Sequence, residues 1–299
     1  MPDVRWASME HSDSGSSDNV SALQRGFAVL DCFAASQAPL GNSEVSRMTG
    51  IPRPTVTRLI ATLVSLGHLR PAREGERFEL AAGVVRLAEA FLGALDVRGF
   101  ARPHLVALSE ATGASSYLGV RDGTDVLVVE AARARSAVAF LGADIGTRMA
   151  LASSALGRAW LIGVDDTTRA VVLKQLRAKA RKGAEAVPPD AWLTEARLAG
   201  FAVSLGDWHA DIHAVGVPVR SAAGEVFTIN CGGPSFVMPA ERLLTTAVPA
   251  ALAAAAAIAR DIGGRAGQEL TRPSSPSDAT PHKQRRRPSS QVPHALKAS

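Results

Sequence analysis

Residues 40–68 read LGNSEVSRMTGIPRPTVTRLIATLVSLGH, two helical patterns parted only by Gly50, Ile51 and Pro52. The second pattern carries Val56, Leu59, Ile60, Leu63 and Leu66 at spacings that place them on one stripe, with Arg53, Thr55, Thr57 and Arg58 opposite. Gly50 supplies the left-handed stop that ends a first short helix, and Ser43 is the expected cap at its start. Upstream, Leu23, Phe27, Leu30 and Phe33 keep helical spacing behind a candidate cap at Ser21. Downstream, His68–Pro71 and Arg77–Leu80 read as two strands joined by the polar turn Ala72–Glu76. Three short helices followed by a hairpin form a winged helix-turn-helix, which restricts this segment to a small domain with one exposed helix face.

In such a domain the second helix is anchored by its stripe and presents its N-terminal polar residues to the major groove of DNA. Arg53 and Arg58 can donate bidentately to guanine, and the methyl groups of Thr55 and Thr57 can meet a thymine methyl. Ser43 joins them from the first helix. Arg73 and Arg77 in the hairpin suit phosphates or the minor groove.

The remainder of the 299 residues changes character. Residues 81–95 make an amphipathic helix with Val84, Leu87, Phe91 and Leu92 on a wide apolar face, fit to link domains or to pack on another copy. Beyond it, a helix at Ala101–Thr112 precedes strands at Ser115–Val120, Asp125–Ala131 and Ala137–Leu141. Helices follow at Ser154–Ile162, Thr167–Lys179 and Ala191–Leu198. Strands return at Phe201–Leu205, Ala214–Arg220 and Val226–Cys231, before a last helix at Pro239–Ile262. Strands in hairpin-like pairs predict an α+β domain with an antiparallel sheet flanked by helices. The expected partition is a disordered N-terminus (1–19), a winged helix (20–80), a linker helix (81–96), a second domain (97–263) and a disordered basic tail (264–299).

The net charge misleads until it is divided. The net +5 equals the contribution of residues 264–299, whose KQRRR run lies at Lys283–Arg287, while residues 21–80 hold only +2. That tail reads as a solvated segment, a non-specific DNA arm or a nuclear address. No apolar run is long enough to span a bilayer and no signal sequence opens the chain, so a cytoplasmic protein without membrane contact is expected. Two distant cysteines, Cys32 and Cys231, make no disulfide framework.

The stretches SALQRGFAVL, LGNSEVSRMTGIPRPTVTRLIATLVSLGHL, RPHLVALSEATGASSYLGV, GTRMALASSALGRAWL, AGFAVS and FTINCGGP together resemble the IclR family of bacterial transcriptional regulators over residues 21–262. The resemblance implies a winged helix, a linker helix used in dimerisation and a GAF-like effector domain. It also implies a homodimer or homotetramer on a double-stranded DNA operator, acting as repressor or activator of genes for the catabolism of small organic acids and aromatics. Pro54 departs from the small hydroxyl residue common there, which a first helical turn tolerates. The resemblance puts the effector pocket on the sheet face behind Gly146–Ala155, with the ligand-holding positions at Ser204, Ala214, Asn230 and Gly232. The acid, cysteine and hydroxyls usual at those positions are absent. Tyr117, Arg148, Ser153 and Ser154 complete the candidate set. Ser153 and Ser154 stand at a helix start that favours an anion, and Arg148 is either a carboxylate partner or a solvated loop arginine.

Three other readings compete. If residues 207–213 are extended, Asp207, His209, Asp211 and His213 could converge on a divalent metal; the alternative is a polar loop, and neither a metal nor any other cofactor is required. Cys231 with His213 is a conceivable nucleophile and base, but the chain has no nucleophile elbow, phosphate loop or HExxH, and a non-enzyme is expected. A GAF-type signalling module without specific DNA binding is the functional alternative.

Overall fold

A computed structural model describes residues 20–36, 38–73, 75–133, 143–181 and 187–271. These gather into two compact units that part between Leu95 and Asp96. The predicted strand at Ala137–Leu141, residues 1–19 and the tail beyond Thr271 lie outside the described residues.

The first unit contains α1 (Ser21–Ala35), β1 (Leu40–Gly41), α2 (Asn42–Thr49), α3 (Arg53–Ser65), β2 (Leu69–Pro71), β3 (Arg77–Leu80) and α4 (Gly83–Gly93). Val29 and Phe33 of α1, Val45 of α2 and Val56, Ile60 and Leu63 of α3 close one core with Leu40 and Leu69. The predicted stripe on α3 is therefore the buried one, except that Leu66 lies past the last turn and is exposed. Two caps differ from expectation. α1 starts at Ser21 behind Val20. α2 starts at Asn42, and its orphan Gly41 N–H donates to the Glu44 carboxylate at 2.8 Å, so Ser43 is already helical. β1 was missed because two residues are too few for any periodicity; it pairs with β3 to make a three-stranded sheet in the order β1-β3-β2. α4 buries none of its residues, leaving Val85, Leu87 and Phe91 exposed.

The second unit is a three-layer sandwich. Its strands are β4 (Ser115–Asp122), β5 (Asp125–Ala132), β6 (Arg148–Ala150), β7 (Ala202–Leu205), β8 (Ile212–Arg220), β9 (Val226–Pro234) and β10 (Arg265–Ala266). All pair antiparallel in the order β10-β8-β9-β4-β5-β6, with β7 beside the first half of β8. One face carries α5 (Val97–Thr112) and α9 (Ala240–Asp261); the other carries α6 (Ala155–Gly163). α7 (Asp166–Ala180) and α8 (Asp190–Ala199) complete the α6 side and share its core. α9 has the length and apolar composition of a membrane span, yet Leu243, Ala247, Ala251, Ala255 and Ile258 are buried, and the helix packs on α5 and β8. A π-helical turn at Leu243–Ala247 interrupts it.

Glu130 is 3% exposed and receives Arg102 at 2.7 Å and Arg98 at 3.1 Å, tying the first turns of α5 to the sheet. The expected tail also begins too early, because Arg265 and Ala266 pair with Arg220 and Val219 of β8 and Gly267–Leu270 turn once more as a 3-10 helix. An open edge of β8 captures them, which a Gly-rich composition conceals.

Candidate functional site

On the first unit, the N-terminal half of α3 stands in the open. Arg53 and Arg58 are exposed, and their guanidinium groups make no hydrogen bond or ion pair among the described residues. Thr57 is exposed, but its hydroxyl donates to the Arg53 carbonyl and accepts from Asn42 Nδ2, both at 3.0 Å. Thr55 is half-buried, and Ser43 is exposed on α2. Asn42, which the sequence analysis does not single out, thus pins α2 to the face of α3. Arg73 is exposed in the β2–β3 turn, whereas Arg77 is engaged. It donates to the Pro39 carbonyl at 2.6 Å and to Glu44 at 3.0 Å. The Gly41 N–H first, and then Arg77, hold the Glu44 carboxyl below its ordinary pKa. Residues 41–44, Arg53 and the wing base at 75–77 consequently line one groove.

On the second unit, a cavity of about 770 Å³, counted out to its open mouth, lies on the α6 face of the sheet. Strand parity explains who faces it. Ser204, Ala214, Gly232 and Ser115 form one rung across β7-β8-β9-β4, and Ala202, Gly216, Asn230 and Tyr117 form the next. Ser204, Ala214, Gly232, Asn230 and Tyr117 all line the cavity, together with Ser154, Met149, Trp208, Ile212 and Val237. Burial raises the Tyr117 pKa, so its phenol stays neutral. At Gly232 a Cβ would sit 2.5 Å from that of Ala214, which is why this position holds no hydroxyl.

Other expected members lie elsewhere. Arg148 is absent from the lining; it is on edge strand β6, where the acids of the β4–β5 turn, Asp122 and Asp125, claim it. Ser153 is buried but is also absent from the lining, and it has an interaction of its own. Ser154 is the true cap of α6, accepting the Gly157 N–H at 3.0 Å and donating to the Ala150 carbonyl at 2.7 Å.

The extended stretch that the metal reading requires is absent from the described residues. Residues 207–211 form a turn and β8 begins at Ile212, so no alternation aligns Asp207, His209, Asp211 and His213. Asp207 is taken by Arg158 at 2.8 Å and by the Leu205 N–H. Burial raises the Asp207 pKa, but those donors outweigh it and leave it lowered. His213 Nδ1 meets the Met238 carbonyl at 3.0 Å, and no cluster of three potential ligands exists among the described residues.

Cys231 is turned to the opposite face by the same parity. It is fully buried 3.1 Å from Thr112 Oγ1, and burial pushes its thiol from 9.0 to about 11. A thiol so placed is not a nucleophile near neutrality. It should resist alkylation by iodoacetamide at pH 8 in folded protein and react only on unfolding, as peptide mapping would show. Because its folded pKa is the raised one, its contribution to stability is intact below pH 9 and is lost as pH rises towards about 11.

Residues 22–72 match the IclR helix-turn-helix domain, and residues 89–262 match the bacterial transcriptional regulator IclR C-terminal domain. The HTH-type transcriptional regulator TsaQ1/TsaQ2 of Comamonas testosteroni is 31% identical over 240 residues, covering 77% of this chain and 84% of the relative. The Pca regulon regulatory protein of Pseudomonas putida is 26% identical over 216 residues, covering 71% and 74%. Among solved structures, an IclR family transcriptional regulator from Brucella abortus superposes with a TM-score of 0.71 at 31% identity, covering 84% of this chain and 95% of its own.

Proposed function

The chain belongs to the IclR family of bacterial DNA-binding transcriptional regulators, and from that premise we propose that it reads an operator through α3 and the wing while a small organic acid or aromatic metabolite in the sheet cavity alters that affinity. The observation that carries the DNA half is the pair Arg53 and Arg58, exposed on α3 without any carboxylate partner among the described residues. Unpaired guanidinium groups on a helix anchored from behind are free to form bidentate contacts with guanine. Arg73 supplies phosphate contact from the wing.

The exposed apolar residues of α4 support a homodimer or homotetramer, since Val85, Leu87 and Phe91 stand exposed among the described residues. In such an assembly the effector acts by population shift, favouring the arrangement of winged helices that it binds more tightly. Nothing in this mechanism calls for a cofactor, a metal or catalysis, and the cytoplasm is the compartment it fits. The relatives are transcriptional regulators, which does not favour a signalling module without DNA binding.

The test is fluorescence anisotropy on DNA from upstream of the protein's own gene, against scrambled DNA of equal length at near-physiological salt. Selective binding that weakens with salt is the expected result. Equal affinity for both sequences, or none for either, would overturn the operator reading.

A further inference from the structure

We propose that the cavity selects an uncharged ring compound bearing a hydroxyl, a phenol or aryl alcohol, and that Ser204 and Asn230 determine this choice. The inference rests on the reading of the cavity as the effector site and narrows it.

Ser204 and Asn230 occupy neighbouring rungs on the same sheet face, are 3% and 5% exposed, and both line the cavity. Ser204 Oγ and Asn230 Oδ1 find no hydrogen-bond partner among the described residues. Other buried hydroxyls of this unit do. Ser109 donates to the Ala114 and Ala132 carbonyls, Thr112 to Leu108, Ser116 to Leu105 and Ser154 to Ala150. Polar groups left unpaired at this depth are costly, and two of them on residues that line one cavity mark where a ligand completes the structure.

The chemistry of that ligand follows from what surrounds the pair. Trp208, Met149, Ile212 and Val237 give an apolar wall suited to a ring, and the described lining holds no charged side chain. The ionic groups close behind it are engaged. Arg158 is held by Asp207 and the Val203 carbonyl, Arg133 by Asp144, and Arg242 by the Thr112 and Val237 carbonyls. A carboxylate can accept from the Ser204 hydroxyl and, with the carboxamide turned over, from Asn230 Nδ2, but it would bury a charge with no cationic side chain in the described lining. A neutral hydroxyl pairs both groups without that charge: it donates to Asn230 Oδ1 and accepts from Ser204 Oγ–H. A site built to pair a hydroxyl discriminates against an analogue that cannot supply the donor.

The full chain would be titrated with phenol, benzyl alcohol and benzoate at pH 7, following tryptophan fluorescence, to which Trp208 contributes from the cavity wall, and thermal melting. Phenol or benzyl alcohol should bind saturably and about tenfold or more tighter than benzoate. Ser204→Ala and Asn230→Leu should each weaken that binding about tenfold. Because each removes an unpaired buried polar group, the melting temperature of the ligand-free protein should stay the same or rise. Saturable benzoate binding that equals or exceeds phenol would overturn the inference while leaving the cavity as the effector site. Binding of neither class would overturn both. Variants that lower the melting temperature without changing affinity would show a purely structural role for the pair and would also overturn it.

Discussion

Arg53→Ala or Arg58→Ala is expected to weaken operator binding by about 1–3 kcal/mol, or roughly 5- to 150-fold, with little change on scrambled DNA. Both side chains are exposed and unpaired among the described residues, so truncation removes no contact that holds α3 in place. Urea unfolding of the variants should therefore match the parent. Arg73→Ala is the contrasting case. A phosphate contact carries no sequence information, so its loss should weaken all DNA alike and reduce the salt slope by about one. Arg77 cannot serve as either probe, because its guanidinium braces Pro39 and Glu44 against the wing. Anisotropy across a salt series separates the patterns. Unchanged specific affinity in both the Arg53 and Arg58 variants would remove α3 as the reading helix.

The difference between Arg53 and Arg77 also shows what a linear sequence makes visible. The stripe Val56, Ile60 and Leu63 is a local periodicity, and its burial followed from spacing alone. Arg77 looked as free as Arg53 because its partners are 33 and 38 residues away, and only folding β3 beside β1 brings them together. The partners of Arg148 are hidden in the sequence for the same reason. Its acids lie 23 and 26 residues upstream in the β4–β5 turn, and the pairing of β5 with β6 delivers it to them. The cavity was more legible. Once strands are assigned, parity alone sends Asn230 and Gly232 to one face and Cys231 to the other, and the register of β4 against β9 adds Tyr117. Parity does not apply to residues 207–213, because that stretch turns instead of extending, as the polar-loop alternative has it, and Arg158 meets Asp207 there across 49 residues. The lack of a hydrogen-bond partner for Ser204 and Asn230 has no sequence signature at all, since it depends on what three strands leave unfilled.

The tightest constraint on the cavity is a glycine. Gly216 lies on the Asn230 rung, and a Cβ there would fall 2.1 Å from the Ala155 carbonyl oxygen and 2.6 Å from its carbon. These are backbone atoms at the start of α6, and Ala155 itself lines the cavity, so no rotamer change relieves the clash. Gly216→Ala must lift the helix start from β8, and it is expected to cost about 3 kcal/mol, at the upper end for overpacking by one methyl. The displaced Ser154 and Ala155 should also abolish ligand-induced changes in tryptophan fluorescence. Gly99→Ala provides the matched control, because Gly99 is exposed in α5 and its added methyl would meet nothing within 4 Å. There the helix should gain up to about 1 kcal/mol, from higher helix propensity and a less flexible unfolded chain. Urea midpoints that move in opposite directions for these two substitutions would locate the effect in the α6–β8 contact. Equal shifts would mean that the close approach of Ala155 to Gly216 is not what shapes the cavity.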